Sequence, residues 1–295
     1  MKKGILRKFL MAPSRKLLAL HTGEEAHNYM AALIEKGAPF MAARFGAVEI
    51  KAMLYCRLPW PMNLAFRRWA FHDMAMNAGF FPCTKANLRR FTKLMLQSIE
   101  SLDVLASWRI EELFFKRRLK HAFKVPLGIM GPIYPPPPCI WSKTLRNKHL
   151  LVVHPFADLI FKQYEAHRGE LFGEYSDLIF PPLKSLQTVK AVQTIAGNND
   201  GWNDWFEALE SMKDQIARLD FDIALIACGA YGFPLAAYVK SLGRQAVHVG
   251  GPLQLYFGIK GRRWDAMGIY NEHWVRPGKS ERPDNLQVVE GGCYW

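Results

Sequence analysis

The chain has 295 residues, half of them hydrophobic, with 39 Lys and Arg against 26 Asp and Glu, giving a formal charge of +13 and a pI near 9.6. This composition excludes a chain dominated by disorder and leaves enough apolar material for one large α/β domain over residues 1–295. The charge points to an anionic partner: nucleic acid, a membrane surface or a phosphate-bearing substrate.

The opening stretch, MKKGILRKFLMAPSRKLLAL, carries Lys and Arg inside its apolar run, which argues against a cleaved signal peptide or a spanning helix. Two readings of residues 1–20 stand: a basic amphipathic helix in peripheral contact with an anionic membrane, and a first helix packed on its own domain. Thr22 then caps a helix over Glu24 to Lys36, with Glu25 completing a capping box and Gly37 ending it. Pro39 to Ala43 reads as a short buried strand, and Arg44-Phe45-Gly46 turns into a helix from Ala47 to about Cys56. Arg44 sits at the strand's exit and Glu49 in the helix's first turn. From Leu64 to Leu119 the pattern is helical almost throughout, a helical insertion over 64–120. Its basic residues, among them Arg67, Arg68, Arg89, Arg90, Arg117 and Arg118, form either a phosphate-binding face or a solvated one. Pro132 to Pro138 is a stiff connector or a lid, because proline lacks the backbone donor.

Leu150 to Val153 restores the β pattern and leads through His154 into a helix over Ala157 to His167. His154 contacts substrate, acts as a base, or is a hydrogen-bonded structural residue. Leu186 to Ile195 reads as a further strand and Trp205 to Leu219 as an amphipathic helix. Phe221 to Ala227 is a buried strand that stops at a turn bracketed by Gly229 and Gly232; a helix with Pro234 in its first turn follows, then Ala246 to Val249 and the pair Gly250-Gly251. Strands alternating with helices predict a Rossmann-like, mostly parallel sheet flanked by helices. Such sheets place ligands outside the carboxyl ends of their strands, where glycine turns let backbone N–H groups approach a pyrophosphate.

Several chemistries lack support. C-G-A-Y-G is not the G-x-G-x-x-G fingerprint, and His248 and Val249 stand where the acidic ribose-binding residue belongs, which disfavours a nicotinamide dehydrogenase. No P-loop and no G-x-S-x-G elbow occurs. Without an RRM, KH or helix-turn-helix pattern, nucleic acid is not an expected partner. Five cysteines without C-x-x-C spacing signal neither a zinc site nor a disulfide framework, and fit a reducing cytoplasm. What remains is a set of polar strand ends, the cationic loop Lys260, Arg262 and Arg263 beside a double-glycine turn, and the carboxylates Glu49, Asp265, Glu272 and Glu290. Cations stabilise a diphosphate leaving group and a carboxylate or histidine takes an acceptor's proton, so the combination suits transfer from a nucleotide-activated donor.

The stretch Ala43-Arg44-Phe45-Gly46-Ala47-Val48-Glu49 resembles the R-F-G-D-G-E signature of bacterial GT-D type glycosyltransferases. The segments VVHPFAD, LIACGAYGFPLA, VHVGGPLQLYFGIKGRRWD and EGGCYW are similar to a related family found with capsule and surface-polysaccharide genes. The resemblance runs from Pro39 to the carboxyl terminus and is most specific over Gly250 to Asp265. It implies a Rossmann-like fold that binds a nucleotide-sugar, with an Asp-x-Glu element serving metal and diphosphate. On this chain the nucleotide-sugar site would draw on Arg44, Gly46, Gly229, Gly232, Gly250, Gly251, Gln254, Lys260, Arg262 and Arg263, with Glu49, His154 and Asp265 as catalytic candidates. The signature's glutamate is kept as Glu49, but Ala47 replaces its aspartate and offers Mg²⁺ or Mn²⁺ no oxygen ligand. Glu49 therefore has three readings: holding a metal through water, accepting a hydroxyl proton, or pairing with Arg44. The expected activity is transfer of a sugar from a nucleotide-sugar donor to a surface glycan or lipid-linked precursor at the cytoplasmic face of the membrane. A non-catalytic scaffold of a polysaccharide assembly complex is the alternative, and a basic nucleic-acid-binding protein the more distant one.

Overall fold

A computed structural model describes residue 18, residues 20–283 and residues 285–295. The basic segment expected over residues 1–20 lies outside the described residues apart from Leu18 and Leu20.

Helix α1 (Gly23–Lys36) starts with the expected box: the Thr22 hydroxyl accepts from the Glu25 N–H at 3.2 Å, and the Glu25 carboxylate accepts from the Thr22 N–H at 2.8 Å. Gly37 stops it in the left-handed conformation. Strand β1 (Met41–Ala43) passes through Arg44 into α2 (Ala47–Arg57), and α3 (Lys85–Ile99) follows, capped by Thr84. Strands β2 (Val104–Ser107), β3 (Phe123–Pro126) and β4 (His149–His154) lead to α4 (Ala157–His167) and β5 (Ser185–Lys190). Helix α5 (Trp205–Ala217), β6 (Ile223–Ile226), α6 (Gly232–Ser241) and β7 (Gln245–His248) complete the frame.

The seven strands form one sheet in the order β3-β2-β1-β7-β6-β4-β5, and every pairing in it is parallel. The protein is thus an α/β sheet of Rossmann-like type. Both faces are covered, as the apolar strand sequences require. Along β6 the side chains alternate: Ala224 and Ile226 join the layer of α2, α3, α5 and α6, while Ile223 and Leu225 join the layer of α1 and α4. The first layer packs Ile50, Met53, Phe91, Met95, Met212 and Leu235; the second packs Met30, Ile34, Ile160, Trp141 and Phe180.

The segment 64–120 is not helical throughout, because β2 lies inside it, paired with β1 through Ala42 and Val104. A four-residue apolar run such as Val-Leu-Ala-Ser carries too little periodicity to separate a buried strand from a helical turn. Strand β3 also escapes the sequence pattern, since it ends at Pro126; proline is tolerated there because β3 is an edge strand. Strand β5 stops at Lys190 rather than Ile195, and residues 191–195 leave the sheet.

The strand order also sets where a ligand belongs. From β6 the chain runs through α6 to β7, towards β1; from the adjacent β4 it runs through α4 to β5, towards the opposite edge. Helices α6 and α4 lie on opposite faces, so the carboxyl ends of β4 and β6 part at a topological switch point. Among the described residues no helix is long and apolar enough to cross a membrane.

Candidate functional site

A cavity of about 130 Å³ lies at this switch point. Arg44 enters from just beyond β1, His248 from the last residue of β7 with Gly250, Gly251 and Gln254 beyond it, Ala227, Cys228, Gly229 and Tyr231 from beyond β6, and His154 from the last residue of β4. The extension of β5 adds Gln193 and Thr194, the insertion adds Asn77 to Gly79, and the C-terminal segment adds Val289, Tyr294 and Trp295.

The walls are held by identifiable bonds. Thr194 Oγ1 donates to the Gly79 carbonyl at 2.6 Å and lies 2.8 Å from the Tyr231 hydroxyl, while the Tyr231 ring stacks on Trp205 with centroids 4.7 Å apart. Gly250 adopts φ 74° and ψ −158°, a combination open in practice to glycine alone. A Cβ there would come within 2.9 Å of Arg44 Nε, so this glycine lets the guanidinium lie against the backbone. The same guanidinium lies 5.4 Å from the Trp108 ring centroid, and the Trp108 indole N–H donates to the Phe45 carbonyl at 2.9 Å.

Among the described residues, three residues that line this cavity each carry a buried side-chain polar atom without a hydrogen-bond partner: Arg44 Nε, Asn77 Oδ1 and His248 Nδ1. Buried polar atoms are almost always paired, so three unpaired ones among the residues of one cavity call for an explanation. Burial holds both imidazoles far below their usual titration range: His154 is pushed down to about 3 by desolvation, and His248 to about 3 by desolvation and then the Arg44 charge. Both rings are neutral at physiological pH. The Phe156 N–H donates to His154 Nδ1 at 2.9 Å, which places the ring proton on Nε2. His154 therefore carries an N–H at Nε2, and its Nδ1 lone pair, engaged by the Phe156 N–H, is not available to take a proton. Burial also raises the Cys228 thiol and Tyr231 hydroxyl, and pushes Tyr294 up to about 12, so these groups stay protonated. Among the described residues that line the cavity none is Asp or Glu. Arg44 supplies formal positive charge, and α6 begins beside Gly229 and Tyr231 with its N-terminal partial charge directed at the same end of the sheet.

Of the residues expected from sequence, Arg44, His154, Gly229, Gly250, Gly251 and Gln254 share this cavity, and the others do not line it. Gly46 lies under the Glu49 carboxylate, which would collide with a Cβ there. Glu49 is buried over the start of α2; desolvation raises its pKa, partly offset by the Arg44 charge and the nearby backbone N–H groups. Gly232 gives room to the His248 ring rather than to a ligand. Asp265 is engaged by Arg276 at 2.6 Å. The cationic loop faces the C-terminal segment: Arg262 donates to the Gly291 carbonyl at 3.1 Å, Arg263 pairs with Glu290 and donates to the Tyr294 hydroxyl at 2.9 Å, and Lys260 lies over Tyr270. Even Gln254 spends its amide on the carbonyls of Ile259, Lys260 and Tyr294. Of the insertion's arginines, Arg90 lies on Phe206 near Asp204 and Arg118 pairs with Glu100, both at the surface.

The donor set also bears on a metal. Ala47 offers no oxygen, Glu49 is turned onto its own helix, and the cavity lining holds no carboxylate among the described residues. These residues do not fit a hard cation such as Mg²⁺ or Mn²⁺.

Asn77, Thr194, Tyr231, His248 and Tyr294 were not singled out from the sequence. His248 had a local signal, a polar residue at the end of an apolar strand before two glycines; Asn77 and Thr194 reach the site only through tertiary packing.

No family model and no curated protein matches the chain. Two solved structures are similar to it over most of its length. One, a selenomethionine-substituted structure of domain of unknown function 1792, is 13% identical, with 85% of this chain and 90% of that chain covered and a TM-score of 0.43. The other, described as showing that the highly conserved domain of unknown function 1792 has a distinct glycosyltransferase fold, is 13% identical, with 86% and 90% covered and a TM-score of 0.42.

Proposed function

We propose that the cavity receives the sugar-diphosphate part of a nucleotide-sugar and that the protein transfers the sugar to a glycan or lipid-linked acceptor. The observation that carries this reading is the presence of Arg44 Nε, Asn77 Oδ1 and His248 Nδ1, buried and without a partner among the described residues, on residues that line a cavity whose described lining holds no carboxylate. A guanidinium answers a phosphate oxygen, and an amide oxygen answers a sugar hydroxyl. At about 130 Å³ the cavity is smaller than the roughly 300 Å³ at which sites for drug-sized ligands begin, so it holds no more than the sugar-diphosphate part and leaves the nucleoside outside.

Cleavage of the sugar–phosphate bond leaves negative charge on the departing diphosphate, which Arg44 and the start of α6 stabilise. His154 Nε2–H donates to the bound ligand. The formal charge of +13 favours acceptors at an anionic surface, such as the cytoplasmic face of a membrane where capsule precursors are built.

A second reading, a binding scaffold without turnover, is favoured by the same lining: the described residues offer neither a carboxylate nor a free imidazole lone pair at His154 to take an acceptor proton. One experiment separates the two. The full chain is incubated with UDP-, GDP-, dTDP- and CMP-sugars, with and without a lipid-linked acceptor, while binding and nucleotide release are both followed. Release that depends on acceptor supports transfer; binding without release supports the scaffold. No binding by any donor contradicts both.

A further inference from the structure

At the opposite end of α4 from the cavity, a second constellation brings together two imidazoles and a carboxylate. His167, in the last turn of α4, has Nδ1 2.9 Å from Glu170 Oε2. His273, from the C-terminal segment, has Nδ1 3.3 Å from the same oxygen. The ligand atoms all lie within 4.8 Å of one another, and the two imidazole rings stand 5.1 Å apart. Tetrahedral zinc with ligands at about 2.1 Å holds neighbouring ligand atoms roughly 3.4 Å apart, so a small contraction closes this geometry around an ion.

The segment carrying His273 is fixed independently of any ion. Asn271 Nδ2 donates to the Glu170 carbonyl at 2.8 Å, Gln163 Nε2 to the His273 carbonyl at 2.9 Å, and the Trp274 indole N–H to the Leu171 carbonyl at 2.9 Å. Trp274 is itself buried. The third ligand is thus presented by a braced backbone rather than by a loose loop, and the entropy cost of assembling the site is largely met by folding. All three side chains keep partial solvent access, at 36%, 51% and 28% for His167, Glu170 and His273, so an ion can enter and a water can take a fourth position. Glu272 Oε1 lies 3.7 Å from His273 Nε2, where an outer carboxylate steadies a metal-bound imidazole through its remaining N–H.

We propose that His167, Glu170 and His273 form a binding site for Zn²⁺ or a similar borderline divalent ion, coordinated by both Nδ1 atoms and a Glu170 oxygen. On binding, each imidazole carries its proton on Nε2 and turns its Nδ1 lone pair to the ion. Imidazole and carboxylate donors suit zinc better than the oxygen-demanding Mg²⁺. The site lies a full helix from the cavity, about 16 Å for eleven residues at 1.5 Å each, so its ion takes no part in chemistry there. Its effect is a clamp between α4 and the C-terminal segment whose far end supplies Val289, Tyr294 and Trp295 to the cavity wall. This inference does not depend on the nucleotide-sugar reading.

The test is equilibrium dialysis of the full chain against Zn²⁺ with metal analysis, run beside Glu170→Gln and His167→Ala/His273→Ala. Co²⁺ absorption identifies the donor atoms, because the five cysteines are competing ligands. Wild type should take up one equivalent, with tetrahedral d–d bands and no thiolate-to-cobalt band, and zinc should raise its melting temperature; both variants should lose that equivalent. Glu170→Gln is nearly isosteric at a half-exposed position, so it decides the matter if the double variant folds poorly. Failure of the wild type to bind, retention of the equivalent by both variants, or a thiolate band would each overturn the assignment.

Discussion

Arg44 and Gly250 are matched: the guanidinium Nε occupies the space 2.9 Å from where a Cβ on Gly250 would stand. At φ 74° the glycine is also in a region that side chains avoid. Gly250→Ala should therefore cost about 1–3 kcal/mol of stability from backbone strain alone. It should also displace Arg44 and weaken phosphate-ligand binding; urea unfolding and ligand titration of the variant check both effects.

The cationic loop acts through the C-terminal segment. Arg262→Ala/Arg263→Ala removes the bonds to Gly291, Glu290 and Tyr294, so the melting temperature should fall together with ligand affinity. Direct phosphate contacts would instead show as lost affinity at unchanged stability. Differential scanning calorimetry beside titration distinguishes the two.

The buried imidazoles set an acid limit. In the unfolded chain His154 and His248 take protons as the pH drops through their ordinary value of 6.5, whereas the folded protein resists until about 3. The unfolded state binds more protons between those values, so stability is full above 6.5 and is lost as pH falls from 6.5 towards 3. The limiting slope is about 1.4 kcal/mol per pH unit for each imidazole. His154→Asn, which keeps an acceptor for the Phe156 N–H, should make the measured dependence of unfolding free energy on pH shallower over that window.

Glu49 tests the reach of the signature resemblance. Its carboxyl is buried, raised in pKa and absent from the cavity lining, so the uncharged isostere Glu49→Gln should leave ligand affinity unchanged and stability near wild type at neutral pH. A collapse of turnover with affinity intact would assign Glu49 a catalytic part.

The sheet was legible because its cues are local. Thr22 and Glu25 announce a helix start, the Phe221 to Ala227 run ends at Gly229, and strand–helix alternation dictates a parallel sheet. Strands β2 and β3 were not legible, being four residues each with too little pattern to outweigh their helical or proline-containing surroundings. At the site, Arg44, His154 and Gly250 could be named because strand ends converge in this topology. Chain proximity suggested that Arg262 and Arg263 point the same way; the competing claim came from Glu290, Gly291 and Tyr294, far along the sequence. Asn77 and Thr194 were hidden for the same reason, since only packing brings residues from the insertion and from beyond β5 to one wall.

Arg44 Nε has no partner among the described residues, and the proposed function gives this guanidinium a phosphate to hold. Titration of wild type and Arg44→Gln with UDP, GDP and inorganic pyrophosphate, alongside thermal unfolding of both, measures it most directly. Affinity should be about 10- to 100-fold lower in the variant, the worth of a charge-assisted hydrogen bond, with a melting temperature equal to or above wild type. Equal affinity in the two proteins, or no binding of any of the three probes by the wild type, would contradict it.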